Sequence, residues 1–327
     1  LVTGVQTCAL PIYAERTVHY LSLAADRAHE ALAFEDAIRY LDQAVTVIQD
    51  AELGDAHELL LRKARALYGA GQIDDAVRLL DETAEQLADQ AERDSITLQR
   101  VEMLMDVYRG HECVEELEAM VDRAKGASDQ QLELNALRWL GRAYYQSSLD
   151  RPGFTDKTKE TYERTIELAR ELGDSDALGF TLVQTAQLVD YWPEYHQTAT
   201  GNLEEAEKIA RESGNDLIEL DSATMRLNTN MYKSSDNFGE VTLERLLKKR
   251  DPVRTNALYF RMMWAALSVG RLERCVEICD AGIELAYRIG GLPVQYPSIK
   301  ALALMELGRF SDAWQACDEE IADEIGR

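Results

Sequence analysis

Gly69-Ala-Gly-Gln-Ile-Asp-Asp-Ala-Val-Arg-Leu-Leu80, Val269-Gly-Arg-Leu-Glu-Arg-Cys-Val-Glu-Ile-Cys279 and Leu307-Gly-Arg-Phe-Ser-Asp-Ala-Trp-Gln-Ala-Cys317 are copies of one pattern. Each holds a Gly, a polar residue, an apolar residue, two mostly polar residues and a small residue, with an apolar residue four positions further on. Ala33-Phe-Glu-Asp-Ala-Ile-Arg-Tyr-Leu41 and Gly201-Asn-Leu-Glu-Glu-Ala-Glu-Lys-Ile-Ala210 fit the same template. The small residue recurs at Ala37, Ala76, Cys113, Thr158, Ala206, Cys275 and Ala313, at spacings of 39, 37, 45, 48, 69 and 38 residues. The interval of 69 spans one unmarked copy near Phe238–Leu247. A helix pair explains the pattern: the Gly ends one helix in the left-handed conformation. The small residue lets the second helix approach the first closely, and the apolar residue at i+4 shares its buried face. Helical runs such as Leu59, Leu60, Ala64 and Leu67 precede the turns, and no segment alternates long enough to argue a strand. A single pair cannot bury its apolar face, so the pairs are expected to stack.

The clearest copy, Leu137-Arg-Trp-Leu-Gly-Arg-Ala-Tyr144, resembles the tetratricopeptide repeat in having a large residue, then Leu-Gly, then Tyr three residues on. The resemblance extends over residues 13–327 as about eight units and implies an all-α solenoid of stacked antiparallel helix pairs, a TPR-like superhelix. The repeats are longer than the usual 34 residues, and the proline closing each unit is mostly missing. Proline-bearing insertions fall at Ser147–Lys157 and Tyr191–Thr200. These features resemble the long, irregular repeats behind the ATPase core of bacterial signal-transduction ATPases and transcriptional activators, and behind some nucleotide cyclases and kinases. Glu15–Asp50 is similar to the first repeat after such a core. Residues 1–12, LVTGVQTCALPI, stand apart in composition. Val2–Ile12 resembles a translated sequencing adapter, so residues 1–12 are expected to be non-native or disordered. Residues 13–327 are expected to form the repeat domain of a longer protein.

Composition narrows the function classes. With 35 Lys+Arg against 59 Asp+Glu, the net charge of −24 opposes nucleic acid and anionic membrane surfaces. No apolar run reaches the length of a membrane span. Five cysteines without regular Cys-x-x-Cys spacing suit a reducing cytoplasm. Cys275 and Cys279 lie at i, i+4 in small-residue slots and read as packing. His19, His29, His57, His111 and His196 form no metal-ligand pair. There is no phosphate-binding Gly-rich loop and no nucleophile elbow. Pairs such as Asp74–Asp75 and Glu319–Glu320 read as a solvated acidic face. Neither a catalytic residue, a cofactor nor a metal is expected for this segment.

The resemblance implies that first helices line a concave groove which takes a protein or peptide. Its expected groove positions are Arg65 and Tyr68, then Asn135, Arg138, Arg142 and Tyr145, then Phe260 and Trp264. Asn135, Arg138 and Arg142 put an amide and two guanidiniums on one helix face, a set suited to gripping carboxylates. Arg138 and Arg142 have a structural alternative, pairing with Glu133 or with acids on the next unit. Exposed aromatics at Tyr191-Trp192 would call for a partner. Three readings follow: the sensor or scaffold part of a cytoplasmic signalling ATPase or transcriptional regulator, a free-standing adaptor, or a piece of a nucleotide cyclase or kinase. The final pair, Pro297–Leu307 and Ser311–Ile321, is followed by no amphipathic capping helix, which implies either a covering partner or a sequence that stops short at this end, and the second is the expectation.

Overall fold

The computed structural model describes residues 3–148, 152–190, 192–229, 238–249, 251–288 and 295–325. Among the described residues there are sixteen α-helices and no strand, and the helices follow one another as consecutive pairs. Two compact bodies divide the chain, Leu1–Leu104 with Arg288–Gly290, and Met105–Tyr287 with Gly291–Arg327. The fold is the TPR-like stack of helix pairs that the repeat pattern predicts.

The first body holds α1 (Thr3–Glu30), α2 (Phe34–Asp50), α3 (His57–Gly69), α4 (Ile73–Gln86) and most of α5 (Gln90–Asp106). The backbone of α1 is helical from Thr3 onward and continuous across residue 12. Its Val18, Leu21, Ala25 and Ala28 pack against Ala37, Leu41, Ala44 and Ile48 of α2. Those α2 positions are spaced by three and four residues, so one stripe is apolar and the opposite face is charged. A second cluster joins Ala64 and Leu67 of α3 to Ala76 and Leu80 of α4.

The second body begins with a 3-10 turn at Gly110–Cys113 leading into α6 (Val114–Ala127), then α7 (Gln130–Ser148) and α8 (Thr155–Leu172). It continues through α9 (Ser175–Gln184), which runs on as 3-10 helix over Thr185–Asp190, then α10 (His196–Ser213), α11 (Asp216–Thr229) and α12 (Phe238–Lys249). The last two pairs are α13 (Pro252–Ser268) with α14 (Leu272–Arg288), and α15 (Tyr296–Glu306) with α16 (Phe310–Ile325). Asp251 starts α13 by accepting a hydrogen bond from the Arg254 amide, with Pro252 at the first helical position.

All seven predicted small residues are buried, none more than 4% exposed. The structure supplies the eighth. Thr242 of α12 is 3% exposed and Leu246, four residues on, is fully buried. It splits the interval of 69 into 242 − 206 = 36 and 275 − 242 = 33. Close contact at these pairs is visible at Gly141 of α7: a Cβ there would stand 2.5 Å from Cε1 of Tyr162 on α8. Tyr162 is four residues beyond Thr158 and 1% exposed, so its ring occupies the space left by the absent side chain.

The turn prediction holds in part. Five residues before the small slot, Gly71, Gly270 and Gly308 adopt φ of 78°, 73° and 74°. In the first and third repeats the same conformation falls on Leu32 (φ 59°) and Tyr108 (φ 62°), side chains for which it is costly. Gly201 is a correction: it lies inside α10 rather than at a turn, because the preceding connection winds into helix from His196.

Candidate functional site

The expected groove residues separate into exposed, engaged and buried groups. In the first body, the exposed Arg65 donates through Nη2 to Oε1 of Gln99 at 3.0 Å. Tyr68 is half-buried against the Ala64–Leu67–Ala76–Leu80 cluster.

The second body carries the other candidates, starting from α7. Asn135, Arg138 and Arg142 lie on consecutive turns of that helix and are half-buried. Arg142 donates through Nη2 to the Met105 carbonyl at 3.2 Å and to Oδ1 of Asp106 at 3.1 Å. It therefore satisfies carbonyl and carboxylate acceptors at the end of α5. Burial, the largest single effect, works against its charge, but Asp106 together with Tyr108 and Tyr162 outweighs it and holds the guanidinium above its ordinary pKa. Beside it, Arg138 stacks 4.9 Å from the Trp139 ring centroid and 5.9 Å from that of Phe180 on α9. The Arg142 guanidinium lies 5.9 Å from the centroid of the same Trp139 ring. Two guanidiniums thus share one indole, a geometry that orients both through cation–π attraction.

Glu133, the acid nearest in sequence, pairs instead with Arg164 at 3.7 Å. Tyr145 is buried at 7% exposure, so its contribution is to packing rather than to a surface. Gln146, which the sequence pattern did not mark, completes the arrangement: its Nε2 donates to the Met105 carbonyl and its Oε1 accepts from the Gly110 amide, both at 2.8 Å. The only available signal was its place one turn beyond Arg142 on the same helix.

On α13, Phe260 lies 6.2 Å from Tyr108 and 6.1 Å from Tyr296, the latter edge-to-face. Trp264 packs half-buried against the cluster that contains Leu258, Met262 and Cys275. Arg254 of the same helix donates to Asp221 at 2.9 Å and to Asp251 at 3.0 Å. Burial raises the Asp221 carboxyl above its ordinary range, although Arg254 and then Arg142 pull the other way.

The remaining sequence candidates find structural roles. Cys275 and Cys279 are fully buried, and the Cys275 thiol donates to the Met263 carbonyl at 3.5 Å. Trp192 is half-buried with Lys159 Nζ 5.9 Å from its ring, while Tyr191 lies outside the described residues. Among the described residues no group of three or more His, Cys, Asp or Glu could hold a metal ion. No described helix is long and apolar enough to cross a membrane.

The fold and this face define a helical-repeat protein. No family model matches the chain, and no curated protein matches it. Among solved structures it is similar to a Signal Transduction ATPase with Numerous Domains (STAND) protein with a tetratricopeptide repeat sensor, from Pyrococcus horikoshii. The TM-score is 0.51 at 15% sequence identity, over 94% of this chain and 47% of that one. The chain therefore spans about half the length of that neighbour, and what the two share is the fold.

Proposed function

We propose that residues 13–327 form the non-catalytic sensor or scaffold array of a cytoplasmic signalling ATPase or transcriptional regulator, binding protein or peptide. The observation that carries this reading is the likeness of 94% of the chain to a STAND protein with a repeat sensor. The mechanism is mechanical: a ligand that touches several first helices fixes their mutual rotation and so biases whatever module the array carries. In the second body, Arg138 and Asn135 on α7 and Trp264 on α13 are the residues that meet such a ligand; in the first body, Arg65 on α3 is a separate candidate. Arg142, Tyr145 and Phe260 hold the face in shape. Stacking on Trp139 and Phe180 presents the Arg138 guanidinium to carboxylate-bearing peptides.

The continuous reading frame in the source genome tests this. A nucleotide-hydrolysing module with a phosphate-binding Gly-rich loop, encoded in frame with the repeats, is expected. Repeats encoded alone would favour a free-standing adaptor. ATP hydrolysis by purified residues 13–327 would overturn the non-catalytic reading.

A further inference from the structure

Three positions meet in the core of a helix pair: the small slot, the residue four beyond it, and the residue twelve before it on the preceding first helix. In the first repeat these are Ala37, Leu41 and Ala25, packed in one cluster. In the second they are Ala76, Leu80 and Ala64, again in one cluster. Packing therefore asks only for hydrocarbon at this triad. The seventh repeat puts sulfur at all three places, Cys275, Cys279 and Met263, each fully buried in a shared cluster. Cys279 Sγ lies 3.8 Å from Met263 Sδ, and the Cys275 thiol donates to the carbonyl of the same methionine at 3.5 Å. The two cysteines stand one turn apart on α14, and the Cys279 thiol also hydrogen-bonds the Cys275 sulfur. Two thiols and a thioether thus converge from α13 and α14, where the other two repeats hold only methyl and isobutyl groups.

We propose that Met263, Cys275 and Cys279 bind one Cu(I) ion in a plane of three sulfurs that ties α13 to α14. Thiolate and thioether donors are soft and select a soft ion. A metal about 2.3 Å from each of three sulfurs in a trigonal plane holds them about 4 Å apart. The 3.8 Å between Cys279 and Met263 is already close to that spacing. Zinc fits the set poorly, because its structural sites take four donors. No His, Asp or Glu among the described residues joins the two cysteines in a metal-ligating group. Binding forms two copper–thiolate bonds and one copper–thioether bond and sends the two thiol protons to solvent. Copper stays Cu(I), so neither an oxidant nor a reductant takes part. The sulfurs are closed to solvent, and the ion enters when this helix pair opens locally, as repeat arrays do. Once bound, it stabilises the seventh repeat by mass action.

The test titrates the full chain, reduced and free of oxygen, into the coloured Cu(I)–bicinchoninate complex. Wild type is expected to withdraw one more equivalent of Cu(I) than Cys275→Ala/Cys279→Ala; the other three cysteines are common to both. Met263→Leu keeps both thiols and nearly the same volume, and is expected to hold that equivalent at least about tenfold more weakly. Far-UV circular dichroism checks that each variant keeps its helices. Copper K-edge X-ray absorption of wild type carrying one equivalent needs no variant, and three sulfur neighbours at about 2.3 Å are expected. Equal uptake by wild type and the double variant, or unchanged affinity in Met263→Leu, overturns the proposal. Displacement of Cu(I) by excess Zn(II), or two sulfur neighbours instead of three, overturns it as well.

Discussion

Gly141→Ala isolates the close helix contact on which the stack depends. Glycine inside an exposed helix is about 1 kcal/mol worse than alanine, so propensity alone predicts stabilisation. At Gly141 the new methyl would stand 2.5 and 2.6 Å from two carbons of the Tyr162 ring, which is itself 1% exposed and without room to withdraw. Overpacking of this kind costs about 1–3 kcal/mol, and a rigid ring places it at the upper end. The expected net effect is a loss of about 2 kcal/mol. Gly201, inside α10 with nothing within 4 Å of its virtual Cβ, is the internal control. Gly201→Ala is expected to gain about 0.5–1 kcal/mol. Urea unfolding followed by far-UV circular dichroism measures both. Hydrogen exchange on α7 and α8 amides places the loss in that repeat, because repeat arrays open locally. If Gly141→Ala stabilises the chain as Gly201→Ala does, the close-contact reasoning is wrong.

Three further outcomes are expected. At the turns, Gly71→Ala loses about 1 kcal/mol, because its φ of 78° strains any Cβ, whereas Leu32→Gly is neutral to stabilising; urea midpoints check both signs. Arg142→Ala loses about 2 kcal/mol by removing one donor from Asp106 and one of the two donors on the Met105 carbonyl, which keeps Gln146; thermal and urea unfolding measure the loss. Glu118 concerns pH: the hydrogen bond from Tyr144, helped by Lys157, lowers its carboxyl below the ordinary 4.5 in the folded chain. Its contribution is therefore present above the unfolded pKa and lost as pH falls through the lower folded value. Tyr144→Phe should flatten the stability profile below pH 4.5, and an unchanged acid slope would count against the pairing.

Local pattern made the helix pairs legible, because the small slot, the residue at i+4 and the turn glycine lie within ten residues of one another. Thr242 escaped notice for the same local reason. No turn glycine precedes it, and a threonine in a charged helix does not advertise close packing. Leu32 and Tyr108 adopt the left-handed turn without the residue that would signal it. The candidate face was less legible. Asn135, Arg138 and Arg142 do share a helix face, but the fate of Arg142 is set by Asp106, 36 residues earlier. Phe260 meets Tyr108 across 260 − 108 = 152 residues. Spacing places side chains on a face, and only the stacking of several repeats decides which of them remain open to a ligand.

The most direct measurement is a leucine scan of the eight small slots, Ala37, Ala76, Cys113, Thr158, Ala206, Thr242, Cys275 and Ala313, by urea unfolding. Each substitution is predicted to cost about 2–3 kcal/mol, while leucine at the exposed helix positions Arg39 and Arg78 stays within about 0.5 kcal/mol. Slots that accept leucine as readily as Arg39 and Arg78 do would contradict a fold built on repeated close approach of paired helices.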